Sequence, residues 1–305
     1  MIKTDNNNLI SINGVITNLE DAKIPANDRG FLFADNIFET LVSFKGKLLN
    51  VEKHIRRLRI SAENMQIPIP WSDEELEFEL RHMAEVQKHA KGFLRLVVTR
   101  GNGFGISFSD DIKPNKYIYA LPANIDPKWV QEKGIALKRK KTNSTIRGSV
   151  AKTGNYLASI VAINKAKTEG FHDVLWVNGE SEITEASTAN VFFIGRYGDE
   201  VEIVTPSLFS GLLEGITRST IIALLTKAKI RVEERVVYDE EIPRFDECFV
   251  CSTVRGIVPV NKISEHKLHT TRKNAIFHQI YRLYMTWAEV ELGYRVDWNT
   301  GIKIK

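Results

Sequence analysis

The sequence predicts a two-domain α/β protein, and three observations carry that expectation. The chain has 305 residues, 43% hydrophobic and 26% charged, which are ordinary globular values in a chain long enough for two cores. Strand-like and helix-like patterns alternate along both halves. Between them, residues 121–133 (LPANIDPKWVQEK) carry two prolines in six residues and no clear periodicity, so they read as a linker. Residues 1–120 are then an N-terminal α/β domain and 134–305 a C-terminal domain.

In chain order, residues 9–18 alternate around Asn13-Gly14, a two-residue hairpin signal. Residues 28–44 (DRGFLFADNIFETLVSF) are apolar at short spacing and close at the turn Lys45-Gly46-Lys47. From Val51 the spacing predicts a helix with Leu58, Ile60 and Met65 on one side and His54, Arg56, Arg57 and Arg59 distributed around it. Ser72 before Asp73, Glu74 and Glu75 is an N-cap signal with acids in the first turn, opening a helix to Lys91. Residues 93–101 (FLRLVVTRG) are a strand by their β-branched content. Beyond the linker the pattern gives a strand at 135–140, a helix after Tyr156 closed by Gly170, and a hairpin turning at Asn178-Gly179. The strands NVFFIG and VEIVTP, a helix within 211–230 and a late strand ECFVCSTV complete the series, with residues 293–305 expected to be loosely ordered.

Several function classes drop out at this level. A formal charge of +4 is mild, and the densest basic run, Lys138-Arg139-Lys140-Lys141, lacks interleaved aromatics, so it reads as a solvated strand edge and not as a nucleic-acid surface. A modest positive field suits anionic small molecules. No apolar run approaches the roughly 18 residues that span a bilayer, and the opening MIKTDNNNLI is polar, so a cytoplasmic protein without membrane contact is expected. Cys248 and Cys251 admit a redox pair or half a zinc site, but their surroundings read as a buried strand, on which residues three apart face opposite ways, and packing is favoured. His266 and His269 fall in a polar loop and His82 and His89 on a helix surface. No metal is expected.

One lysine explains more of the chain than any other residue. Lys152, in VAKTGNY, precedes the helix carrying Leu157, Ile160, Val161 and Ile163. The partial positive charge of a helix N-terminus disfavours a neighbouring ammonium, which leaves a nucleophilic amine. Lysines that do chemistry usually form a Schiff base with a carbonyl, and pyridoxal phosphate is the commonest cofactor that needs one. Most lysines are solvated surface, so other places must agree. Glu185, just past a strand, would keep a pyridine nitrogen protonated. Gly215-Ile216-Thr217-Arg218 opens a helix whose unpaired N–H groups and threonine hydroxyl form an anion site. Ser252-Thr253 at a strand end and the fork of Arg57 would also reach phosphate oxygens. Each has a plain alternative as surface charge, turn residue or ordinary helix start.

Their order is more specific than any one of them. HxxRL at His54–Leu58, KTGNY at Lys152–Tyr156, TEASTANVF at Thr184–Phe192, GITR at Gly215–Arg218 and STVRGIVPV at Ser252–Val260 resemble, in sequence, the motifs of the class IV (fold type IV) pyridoxal-phosphate aminotransferases. That family includes branched-chain aminotransferases, D-amino-acid aminotransferases and aminodeoxychorismate lyases, and DRGFLFADNIFETL is similar to its N-terminal signature. The resemblance spans residues 10–262. It implies a D-amino-acid-aminotransferase-like fold of two α/β domains with pyridoxal 5'-phosphate in the interdomain cleft, the C-terminal domain binding the cofactor, in a homodimer. It implies Lys152 as the Schiff-base lysine and proton carrier, Glu185 as partner of the pyridine nitrogen, and Tyr156 as partner of the ring hydroxyl. Arg57, Ile216, Thr217, Ser252 and Thr253 would hold the phosphate.

Substrate choice is read from fewer residues. Phe38, Thr40, Arg95, Arg100, Arg255 and the loop Asn102–Ser107 are the candidates to line the pocket. After TRG the loop reads NGFGISF, without the proline-arginine-x-histidine carboxylate trap of D-amino-acid enzymes. Arg95 and KTGNYLASIVAINKAKTEG are similar to branched-chain enzymes, whereas FETL, RGNGFG and STVRG are similar to the lyases. Transamination between a branched-chain-like amino acid and a 2-oxo acid such as 2-oxoglutarate is favoured. The alternatives are release of pyruvate and 4-aminobenzoate from aminodeoxychorismate, D-amino-acid transamination, and cofactor binding without turnover.

Overall fold

The protein is described by a computed structural model over residues 8–107, 111–124, 126–143, 150–198 and 200–304. It divides into two compact units, one of Met1–Ile125, Ala151–Asn155 and Glu289–Lys305, the other of Asp126–Val150 and Tyr156–Ala288. The expected C-terminal domain of residues 134–305 is therefore interrupted. The lysine-bearing pentapeptide and the last residues belong with the N-terminal segment, through long-range pairing that local patterns do not encode.

In the first unit, β1 (Leu9–Ile12) and β2 (Val15–Asn18) form the expected hairpin. Its turn places Asn13 at φ 50° and Gly14 at φ 92°, the left-handed pair that a two-residue connection requires. A one-turn helix α1 (Arg29–Phe33), capped by Asp28, leads into β3 (Asn36–Phe44) and β4 (Lys47–Leu48). The helices α2 (Val51–Asn64) and α3 (Asp73–Val86) and the strands β5 (Lys91–Thr99) and β6 (Asn115–Pro122) follow. The N-cap expected at Ser72 is a full capping box: Ser72 Oγ accepts from Glu75 N at 3.1 Å, and the Glu75 carboxylate accepts from Ser72 N at 2.7 Å. α3 stops short of Lys91 because Lys91 is already paired with Phe44 in the sheet.

Among the described residues these strands form a six-stranded antiparallel sheet in the order β2-β1-β6-β5-β3-β4. Alternation along β3 and β5 sends Ile37, Leu41, Leu94 and Leu96 to one face, where they pack on Val51, Ile55, Leu58 and Ala62 of α2 and on Leu76 and Leu80 of α3. The packed stripe of α2 thus differs from the expected one, since Ile60 and Met65 are 43% and 39% exposed. The opposite face of the sheet carries Phe38, Thr40 and Arg95. The C-terminal residues, expected to be loose, are tied down: Tyr294 Oη donates to the Phe44 carbonyl at 2.9 Å, and the Trp298 ring meets Phe44 edge-on at 4.9 Å.

The second unit contains α4 (Lys128–Lys133), within the expected linker, then β7 (Ile135–Lys141), α5 (Leu157–Thr168), β8 (Asp173–Val177), β9 (Ile183–Ala186), β10 (Asn190–Tyr197) and β11 (Glu200–Pro206). After these come α6 (Ile216–Lys227), β12 (Glu233–Arg235), β13 (Glu247–Ser252), β14 (Gly256–Ile263), β15 (His266–Lys267) and α7 (Phe277–Leu292), the last running on into the first unit. Among the described residues the sheet has nine strands in the order β12-β11-β10-β13-β14-β7-β8-β9, with β15 on β14. The pairs β11·β12, β14·β7 and β7·β8 are parallel and the rest antiparallel. Leu137, Leu175, Val191, Phe193, Val250 and Val258 fill its core. Cys248 and Cys251 are buried, unbridged residues of β13, and burial pushes both thiols up, so they pack as small apolar side chains. Among the described residues no helix is long and apolar enough to cross a membrane.

Candidate active site

Lys152 is placed by its backbone. Its N–H donates to Ser61 Oγ of α2 at 3.1 Å and its carbonyl accepts from Phe38 N at 2.9 Å. Thr153 forms an antiparallel bridge with Ile37, so the pentapeptide lies along the part of β3 that β4 leaves uncovered. The glycine of KTGNY is needed for that approach, because a Cβ on Gly154 would stand 2.5 Å from Asn36 Oδ1. We expect Gly154→Ala to displace the Asn36 side chain and to cost about 1–3 kcal/mol, the usual penalty for overpacking. Urea unfolding of the variant measures it, and a stability equal to wild type would contradict the fit.

The Lys152 side chain lies on the Phe38 face of the sheet. Its Nζ stands 4.5 Å from the centroid of the buried Phe38 ring, and Arg95 Cζ stands 3.8 Å from the same ring. Arg95 is paired in register with Thr40 on one side and Tyr119 on the other. Burial pushes the Tyr119 hydroxyl up while the charge of Arg95 pulls against it. Three expected substrate residues, Phe38, Thr40 and Arg95, therefore share one surface with the lysine amine. α5 starts only at Leu157, with Tyr156 at its N-cap.

On the other face of β3 lies a cluster that sequence reasoning missed. Glu39 is buried and accepts from Arg57 Nε at 2.8 Å and Nη2 at 2.7 Å, while His54 Nδ1 lies 2.7 Å from its Oε2. Burial alone would push this carboxyl up, but the Arg57 charge and the hydrogen bonds from Arg57 and His54 outweigh it and hold Glu39 at about 2. Burial, joined by the charges of Arg57 and Lys152, pushes His54 down against the lift from Glu39, which fits a neutral ring donating through Nδ1. The available signal was a lone acid inside the apolar strand NIFETLVSF, since a buried charge demands a partner. Arg57, expected at a phosphate, thus has one edge of its fork on Glu39.

Arg100 stands elsewhere. Its Nε donates to Asp35 Oδ2 at 2.8 Å, and its Nη2 donates to the Met65 carbonyl at 2.9 Å. Arg29 binds the same Asp35 oxygen at 2.8 Å and also donates to the Gly105 and Ile106 carbonyls of the loop expected to line the pocket. Burial raises the Asp35 carboxyl, but Arg100 and Arg29 together hold it below its ordinary value.

In the second unit, Glu185 is half-buried on β9, and its Oε2 accepts from Asn190 Nδ2 at 3.0 Å. Asn190 Nδ2 also donates to the Leu213 carbonyl at 2.9 Å. α6 opens at Ile216 with Gly215 as N-cap, no side-chain cap and no acid in its first turn. The first-turn N–H groups of Ile216 and Thr217 are the donors that a helix leaves for an anion. Burial pushes the Tyr284 phenol up, with a hydrogen bond to Thr217 acting against it. Arg218 is turned into the core, donating to Thr205 Oγ1 at 3.3 Å and the Pro206 carbonyl at 2.9 Å. Ser252 ends β13 and Thr253 enters the turn to β14, while Arg255 is paired with Asp126 at 2.8 Å.

An amine, an acid steadied by an amide, and a helix start with neither cap nor acid are, respectively, what an aldehyde, a pyridine nitrogen and a phosphate require. The residues present fit pyridoxal 5'-phosphate, and a two-unit α/β chain carrying them falls in the class of pyridoxal-phosphate enzymes. Residues 36–263 match the family described as amino-transferase class IV, and the chain belongs to that family. It is a pyridoxal-phosphate-dependent transaminase. The chain is 29% identical over 258 residues to a provisionally named branched-chain-amino-acid aminotransferase of Methanocaldococcus jannaschii, covering 83% of this chain and 87% of that one. It is 28% identical over 280 residues to a D-alanine aminotransferase of Listeria monocytogenes, covering 90% and 94%. The solved branched-chain amino acid aminotransferase of Escherichia coli superposes with a TM-score of 0.83 at 23% identity over 92% of this chain and 93% of that one, a likeness of fold.

Proposed function

We propose that the protein moves an amino group from a branched-chain or similar amino acid to a 2-oxo acid such as 2-oxoglutarate, with Lys152 as cofactor anchor and proton carrier. The observation that carries this reading is the stack of Lys152 Nζ and the Arg95 guanidinium on one Phe38 ring, at 4.5 and 3.8 Å. A substrate with an apolar side chain and a carboxylate needs an aromatic wall, a cation and an amine within reach, and that surface has all three. The similarity to the archaeal relative and the missing carboxylate trap in NGFGISF point the same way.

Pyridoxal phosphate, when bound, supplies a ring that withdraws electrons from the substrate α-carbon. Lys152 Nζ takes the proton from that carbon and delivers it onward, a role that contributes about 10²–10⁴-fold. Glu185 would keep the pyridine nitrogen protonated. The N–H groups of Ile216 and Thr217, the hydroxyls of Thr217, Ser252 and Thr253, and Arg57 would hold the phosphate, with Glu39 fixing the Arg57 fork. Tyr156 orients the ring hydroxyl. Phe38, Thr40 and Arg95 contact substrate, whereas Arg100 and Arg255, committed to Asp35 and Asp126, serve as supports and leave the pocket reading. The same surface would bind the 2-oxo acid that accepts the amino group.

Two experiments check this. Borohydride reduction followed by peptide mapping should leave a pyridoxyl label on Lys152, and a label on any other lysine, or none, defeats the assignment. In a substrate panel, leucine consumption with 2-oxoglutarate supports the reading. Turnover of D-alanine, or pyruvate release from aminodeoxychorismate, would move the protein to another branch of the family, and a bound chromophore inert to all would make it a binding protein.

A homodimer belongs to the same proposal. α5 turns Leu157, Ile160 and Val161 outward at 70%, 52% and 61% exposure, an apolar face that a second copy would cover. Sedimentation at a mass of one chain would oppose it. Two reduced buried cysteines suit a cytoplasmic location.

A further inference from the structure

We propose that Asn190 is a positioning residue that fixes the spacing between the Glu185 carboxylate and the turn opening α6, and so sets how both ends of the cofactor are gripped. This rests on the roles proposed above for Glu185, Ile216 and Thr217. One carboxamide nitrogen makes both connections, to Glu185 Oε2 at 3.0 Å and to the Leu213 carbonyl at 2.9 Å. Asn190 is buried at the head of β10, paired in register with Cys251, so its Cα has little freedom to shift. Leu213 lies two residues before the N-cap of α6, and no side chain caps that helix. The turn is therefore held from the Glu185 side by Asn190, with no cap of its own.

A second observation is independent of those hydrogen bonds. A Cβ built on Gly215 would lie 1.8 Å from Asn190 Oδ1. Gly215 sits at φ −74° and ψ 132°, a backbone region open to any residue. Its lack of a side chain answers to the Asn190 carboxamide and not to backbone strain. The amide is thus hemmed in on both polar atoms, Nδ2 by the two acceptors and Oδ1 by the Gly215 Cα. An aspartate of the same shape would set oxygen against the Glu185 carboxylate and the Leu213 carbonyl, replacing two attractions by repulsions. Partners of this kind, which orient a ligating group without touching the ligand, are typically worth about 10–100-fold in affinity.

The test is a double-mutant cycle on the full chain, read by equilibrium binding of pyridoxal 5'-phosphate to apoprotein and by the ¹⁵N resonance of ¹⁵N-labelled cofactor. N190A and N190D should each weaken cofactor binding about 10–100-fold and move the pyridine resonance toward the unprotonated position. G215A should weaken binding similarly alone, yet add less than about 3-fold on top of N190A, where the room it needs has been made. Apoprotein thermal melts identify variants that are folded at the assay temperature. If N190D does not fold, G215A and its combination with N190A still decide the matter. Wild-type affinity and an unmoved ¹⁵N resonance in the folded variants, or strictly additive losses, would overturn the inference while leaving the proposed function standing. A wild-type chain that takes up no cofactor overturns both.

Discussion

Replacing Lys152 by alanine should lower transamination by at least about 10⁴-fold, since the amine serves both to anchor the cofactor and to move the proton, and proton transfer alone accounts for up to about that factor. The fold should survive. What ties the pentapeptide to β3 and α2 is main chain, namely the Lys152 N–H on Ser61 and the Lys152 carbonyl on Phe38, and alanine keeps both. The side chain's contact with the buried Phe38 ring is worth about 2 kcal/mol, the value for a desolvated pair. Steady-state rates with leucine and 2-oxoglutarate, alongside urea unfolding of the same preparation, give the two numbers. A loss below 10-fold would remove Lys152 from the chemistry, and a variant that fails to fold would assign it a structural role.

Glu39→Ala should have the opposite profile, with stability falling by about 3–5 kcal/mol because Arg57 is left buried without its counter-charge. That is a large share of the roughly 5–15 kcal/mol by which domains are stable. Glu39→Gln, which keeps the shape and an acceptor, should cost less. The pH dependence has a definite sign. Glu39 is held at about 2 against an ordinary 4.5, so its contribution is fully present above 4.5 and is lost as pH falls through 2. His54, whose folded value is also lowered, adds a loss in the same direction beginning below its ordinary 6.5. Urea midpoints of wild type and Glu39→Gln should therefore converge on acidification from pH 5 toward pH 2. A gap that is constant over that range would show that the charge of Glu39 is not what holds Arg57.

The start of α6 at Ile216 was legible in the sequence because it announces itself locally, as a glycine before a helical run. The hairpin at Asn13-Gly14 and the cap at Ser72 were legible for the same reason. The sequence marks Arg57 as a phosphate fork and His54 as part of HxxRL, but only the facing strand joins the two, by setting Glu39 beneath them. Ile60 and Met65 were drawn into the apolar stripe of α2 by composition, although the sheet it covers selects Val51, Ile55, Leu58 and Ala62. Arg100 and Arg255 were candidates to line the pocket. Asp35 and Asp126, which claim them, are distant in sequence from both. Asn190 stood inside the quoted TEASTAN, but its role depends on Leu213 and Gly215, which only the folded chain brings alongside.

The unit bearing Lys152 is stitched from three separate stretches of chain, the third beginning at Glu289. Tyr294 and Trp298, near the end, close over Phe44. During synthesis the N-terminal segment thus emerges from the ribosome long before the pentapeptide that carries its lysine, and longer still before the aromatic residues that seal it. Until Tyr294 and Trp298 have emerged, a nascent chain would display Phe44, so chaperone dependence should be concentrated in that interval.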